Sequence, residues 1–129
     1  MELQHNVVGW FEIPVTDMER SIRFYEKVFG FKLSRHKMGS LDMAWFPSIE
    51  GSIGSSGSLV HQPEHYKPSP DGILIYFTTT SGDINEDLKK VEKAGGKVLS
   101  PKTKISEEIG YMALILDSEG NRIAFHSRT

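Results

Sequence analysis

The 129-residue chain repeats itself once, and this duplication constrains its fold more than any single motif. When the sequence is displaced by 66 positions, Asp17 meets Asp83, Met18 meets Ile84, Ile22 meets Leu88 and Tyr25 meets Val91. Gly30 then meets Gly96, Trp45 meets Tyr111, Gly54 meets Gly120, and Trp10 meets Tyr76 upstream, all without an insertion. A long period occurring only twice describes a duplicated supersecondary unit, not a solenoid of short repeats.

Each copy opens on a strand pattern. Residues 7–15 place Phe11, Ile13 and Val15 on one face and Trp10, Glu12 and Pro14 on the other, and 73–79 is the counterpart. A helix follows in both. Thr16-x-x-Glu19 reads as a capping box, Met18, Ile22, Tyr25 and Val28 form a helical stripe, and Gly30 suits a left-handed terminus. In the second copy Asp83 is the expected N-cap, Ile84, Leu88, Val91 and Ala94 the stripe, and Gly95-Gly96 the stop. Three further strands close each unit, near 31–37, 42–47 and 57–61, and near 97–104, 110–116 and 121–127. Asp117–Asn121 is a turn signal, and the Ser/Gly stretch 51–57 holds the matching place. That stretch has no Lys and no helix after it, which favours a hairpin turn over a phosphate loop. Prolines mark 62–71 as a connector. The expectation is one α+β domain over 1–129, built from paired βαβββ units at about 6–61 and 72–127.

Composition removes several functions. Fifteen Lys and Arg against 17 Asp and Glu leave no basic excess for nucleic acid. The lack of cysteine removes disulfides, thiolate metal sites and cysteine nucleophiles. No apolar run reaches the roughly 18 residues of a membrane span, and the first residues lack a signal peptide's order, so the expected location is cytoplasmic.

The run Phe11-Glu12-Ile13-Pro14-Val15-Thr16-Asp17, continuing through Phe24-Tyr25 to Gly30-Phe31, resembles the opening of the vicinal oxygen chelate superfamily. Asp117-Ser118-Glu119-Gly120-Asn121-Arg122-Ile123 is similar to its closing turn. That superfamily includes glyoxalase I, bleomycin-resistance proteins and extradiol dioxygenases. The resemblance spans essentially the whole chain and implies a curved mixed sheet around a cleft. It also implies a divalent metal held by His, Gln or Glu from the first and last strands of each unit. Here the matching positions are Trp10, Ser58, Tyr76 and Ala124. None is a usual ligand for such an ion, so no cofactor is expected there, although a metal on displaced ligands stays open.

A two-residue displacement keeps the strand face. It reaches Glu12 from Trp10 and His126 from Ala124. One reading makes Glu12 and His126 an acid–base pair beside a carbonyl. The other gives Glu12 a salt bridge at the rim and makes His126 a satisfied strand histidine. His61 and His65 are spaced as helical ligands, but Pro63 between them opposes a helix. His36 between Arg35 and Lys37 reads as part of a solvated face.

Trp10, Trp45, Ser58, Tyr76, Thr78, Tyr111 and Ala124 are assigned to a ligand-binding cleft. Its aromatic walls suit a flat, apolar or cationic small molecule, or else fill the volume a metal and substrate would occupy. Three functions follow: a metal-independent relative of the glyoxalases acting on a small compound, a ligand-sequestering homodimer, and a metal enzyme on Glu12 and His126.

Overall fold

The computed structural model describes residues 2–129. The chain runs β1 (Phe11–Pro14), α1 (Met18–Phe29), β2 (Ser34–Met38), β3 (Leu41–Trp45), β4 (Gly57–His61), then β5 (Tyr76–Thr78), α2 (Ile84–Val91), β6 (Lys97–Ser106), β7 (Gly110–Leu116) and β8 (Arg122–Ser127). Each half is a βαβββ unit with its own four-stranded sheet, ordered β1-β4-β3-β2 and β5-β8-β7-β6. The first strand of each unit runs parallel to the last, and the remaining pairs are antiparallel. Both first strands are short edge strands. Val7, Val8 and Trp10 continue the alternation of β1, but they lie exposed beyond its pairing with β4.

The helices begin and end for local reasons. Asp17, not Thr16, caps α1, its carboxylate accepting the Arg20 N–H, so the expected Thr16–Glu19 box does not form. The Thr16 N–H donates instead to Glu119, at 2.9 Å. Gly30 closes α1 at φ 85°, a left-handed value that favours glycine. Asp83 caps α2 as its sequence suggests, through the Asn85 N–H. That helix ends at Val91, before Gly95 and Gly96.

Both helices lie on the same side of the sheets and pack on one another. Phe24, Tyr25 and Val28 of α1 and Ile84 and Val91 of α2 are fully buried against Ile13, Leu59, Ile115 and Phe125. Tyr25 is the hub of an aromatic cluster. Its ring lies 5.4 Å from Phe46 of the first unit and 5.8 Å from Phe77 of the second. Phe11 meets Phe77 edge-on at 5.8 Å, joining the units under the gap between β1 and β5.

Polar contacts clamp the units on the helix side. The Tyr25 hydroxyl donates to Asp117 at 2.6 Å. Glu119 accepts from the backbone of Thr16 and Asp17 and from Arg20. Asn121 donates to the Pro14 carbonyl and accepts from the Ser69 N–H, which ties the connector to the end of β1. No described helix is long and apolar enough to cross a membrane.

Candidate functional site

Among the described residues no strand pairing joins the two sheets, and β1 and β5 face each other across a gap bridged by the Phe11–Phe77 contact. A cleft of about 1130 Å³ occupies the gap, at the large end for a small-molecule site. Phe11, Phe46 and Phe77 lie at its base. Trp10 stands on the first-unit side and Tyr76 on the second, 44% and 51% exposed. Large aromatic rings left this open to water flank a ligand space more naturally than they fill a core. Ile53 and Ile73 also line the cleft, at 94% and 93% exposure.

Strand alternation sorts the remaining candidates. Glu12 pairs with Ser58 and Ser58 with Trp45, a row of side chains across β1, β4 and β3 on the face away from the helices. In the second sheet the equivalent row is Thr78, His126 and Met112. Met112 therefore takes the place of Trp45. Tyr111 points to the helix side, packed against the core with the Lys102 ammonium 4.8 Å above its ring. Its expected place in the cleft is corrected accordingly. Trp45 itself touches Trp10 edge-on at 5.7 Å and stacks on His36 at 3.7 Å, so His36 is a half-buried aromatic partner instead of a solvated side chain.

Ser58 and Ala124 are fully buried, and neither lines the cleft; Thr78 does. The Ser58 hydroxyl and Trp45 Nε1 are buried without a hydrogen-bond partner among the described residues. His126 holds the Ser58 place because the offset of 66 does not persist into the last strand. Between them, β6 leaves regular pairing with β7 at three points.

The structure does not assemble the Glu12–His126 pair. The Glu12 carboxylate accepts a 2.6 Å hydrogen bond from the Tyr66 hydroxyl, supplied by the connector. That bond raises the Tyr66 phenol above its ordinary pKa, because ionisation would set two negative charges together. His126 Nε2 lies 2.7 Å from the Ile109 carbonyl, an acceptor, and so carries a proton there. Among the described residues no hydrogen bond or ion pair joins Glu12 to His126. Tyr66 is the residue that sequence reading missed. A contact made by a connector leaves no periodic trace.

An indole, an aliphatic hydroxyl, a phenol and a methyl group occupy the four positions where the superfamily's metal ligands are implied. Such a donor set does not fit a divalent ion. Among the described residues no three His, Asp or Glu side chains gather in a way that could hold one. The cleft's charged residues are Glu12, Lys67 and Arg122.

The sequence model of the Glyoxalase/Bleomycin resistance protein/Dioxygenase superfamily matches residues 7–125, and the chain belongs to that superfamily. A glyoxylase-like domain-containing protein of Didymella fabae is 28% identical over 126 residues, covering 96% of this chain and 95% of its own. Among solved structures, a hypothetical protein, SA1046, from S. aureus superposes with a TM-score of 0.69 at 25% identity, over 95% of this chain and 94% of its own. TnmS3, an antibiotic binding protein from Streptomyces sp. CB03234, superposes at 0.68 with 23% identity, over 99% of this chain and all of its own.

Proposed function

We propose that this protein binds a small organic molecule in the cleft between β1 and β5, without the metal used elsewhere in its superfamily. The observation that carries this reading is the placement of Trp10, immediately before β1, and Tyr76, on β5, on the two sides of one cleft that both line, each about half exposed. An aromatic ligand between them would bury their free faces and cover the Phe11–Phe77 contact below. Sequestration is favoured over turnover, because Glu12 and His126 are engaged with separate partners. The antibiotic binding described for TnmS3, a protein of the same fold, supports this direction.

Ile53 and Ile73 favour a homodimer, since two nearly bare isoleucines at the cleft are suited to cover by a second copy. A cytoplasmic location agrees with the absence of cysteine. A thermal-shift screen of planar metabolites and antibiotics tests the binding reading, because a ligand raises stability according to its free concentration over Kd. Hits should lose their effect in Trp10→Ala and Tyr76→Ala. Equal shifts in both variants and the parent would place the ligand elsewhere.

A further inference from the structure

We infer that the ligand is an anion, a planar aromatic compound bearing a carboxylate or a similar oxyanion, held by Arg122 and Lys67. This deepens the binding reading above and rests on it. Arg122 lies on β8 two residues before Ala124, the register partner of Tyr76, so strand alternation puts it on the face that carries Tyr76. It lines the cleft with its Nε buried and without a hydrogen-bond partner. Among the described residues no carboxylate forms an ion pair with its guanidinium. A guanidinium carries its charge throughout the physiological pH range, and burying its N–H unsatisfied is costly. An oxyanion presents acceptors for that fork in the right plane.

Lys67 lines the same cleft, also without an ion-pair partner among the described residues. Its segment is pinned near Arg122, because the neighbouring Ser69 N–H donates to Asn121, which adjoins Arg122 in sequence. The one acidic lining residue, Glu12, already accepts from the Tyr66 hydroxyl. The lining thus carries two cations against one carboxylate, none of them ion-paired among the described residues, and this excess of positive charge favours an anion over the apolar or cationic ligand expected from the aromatic walls.

The test is calorimetric titration of the full-length protein with 1-naphthoate, with 1-naphthamide as the neutral isostere and 1-naphthylmethylamine as the cation. Naphthoate should bind about ten- to hundredfold more tightly than the amide, the range of a charge-assisted contact. Raising NaCl from about 50 to 500 mM should weaken naphthoate and leave the amide unchanged. Arg122→Gln should remove the preference for naphthoate over the amide. Lys67→Gln, on the exposed connector, should reduce the preference up to about fivefold. The parent comparison needs no variant, so a folding defect in Arg122→Gln leaves the test intact. Equal binding of the three probes overturns the anionic assignment and keeps the aromatic cleft. Preferred binding of the amine overturns the assignment in the same way. If none of the three binds, the aromatic-cleft reading falls and the anionic assignment falls with it.

Discussion

The hydroxyl of Tyr25, in the first unit, donates a 2.6 Å hydrogen bond to Asp117, in the closing turn of the second, and neither residue is open to solvent. Burial pushes the Asp117 carboxyl above its usual range, against the opposing pull of Tyr25 and the Asn121 and Glu119 N–H groups. Burial likewise drives the Tyr25 phenol well up, and the adjacent carboxylate adds to it. Both Asp117 oxygens accept from O–H or N–H donors, the Tyr25 hydroxyl, the Glu119 and Asn121 backbone N–H groups and the Asn121 amide, which is the arrangement a carboxylate requires. Tyr25→Phe should lower stability by about 1–3 kcal/mol, because Asp117 keeps its burial and loses one donor. Thermal and urea unfolding followed by circular dichroism would show this, with an unchanged folded spectrum.

Glu119 should govern the acid limb of stability. Burial raises its carboxyl, but hydrogen bonds from Arg20, the Asp17 backbone, Ser118 and Thr16 outweigh that and hold it at about 2. A carboxylate depressed in the folded state contributes its full stability above its unfolded pKa, near 4.5, and loses it as pH falls towards 2. Glu119→Gln should cost on the order of 2 kcal/mol at pH 7, reduced from the full shift because Arg20 is half exposed. It should also flatten the decline between about pH 4.5 and 2. Melting curves across that window check both statements; parallel acid limbs would contradict them.

Ser58→Ala should be neutral or stabilising by up to about 1 kcal/mol, because the hydroxyl it removes is buried without a partner among the described residues. Binding should persist, since Ser58 does not line the cleft. A ligand-response profile lost in this variant would return Ser58 to the site.

Gly57→Ala should disturb the fold and the site together. A Cβ there would sit 2.3 Å from the Phe11 carbonyl oxygen and 2.6 Å from its ring. Either β1 shifts or Phe11 leaves the base of the cleft, at a cost of about 1–3 kcal/mol. A lowered melting point together with weakened ligand response is the expected result.

Incubation of the protein with Zn, Ni, Mn and Fe should retain less than about a tenth of an equivalent, because the superfamily's four ligand places carry Trp10, Ser58, Tyr76 and Ala124. Elemental analysis after desalting checks this. A stoichiometric metal would show that ligation here uses displaced residues.

Much of the architecture was legible in the chain. The stripe beginning at Met18 and the glycine at position 30 bounded α1, and residues 57–61 and 110–116 became strands with those limits. Periodicity along one element records which side it buries, and alternation along β1 accordingly sets Glu12 on the face opposite the buried Ile13. It does not record how strands slide past one another. The second unit is longer between its strands, since Met112 stands 67 positions after Trp45 and His126 68 after Ser58, so Thr78 faces His126 while Glu12 faces Ser58. For the same reason Tyr111 turned to the core and Met112 took the open face. The Tyr66–Glu12 bond depends on a connector folding back, which alternation cannot report.

The gap between β1 and β5 has a mechanical consequence. The ties that join the halves lie on the helix side or at the strand ends, through Tyr25, Arg20, Glu119 and Asn121. Among the described residues no backbone ladder crosses the opening. A small rotation of one unit against the other about those ties would break no strand pairing in either sheet. The width of the cleft would then rest on its rim side chains, Trp10 and Tyr76 among them, and not on a shared ladder.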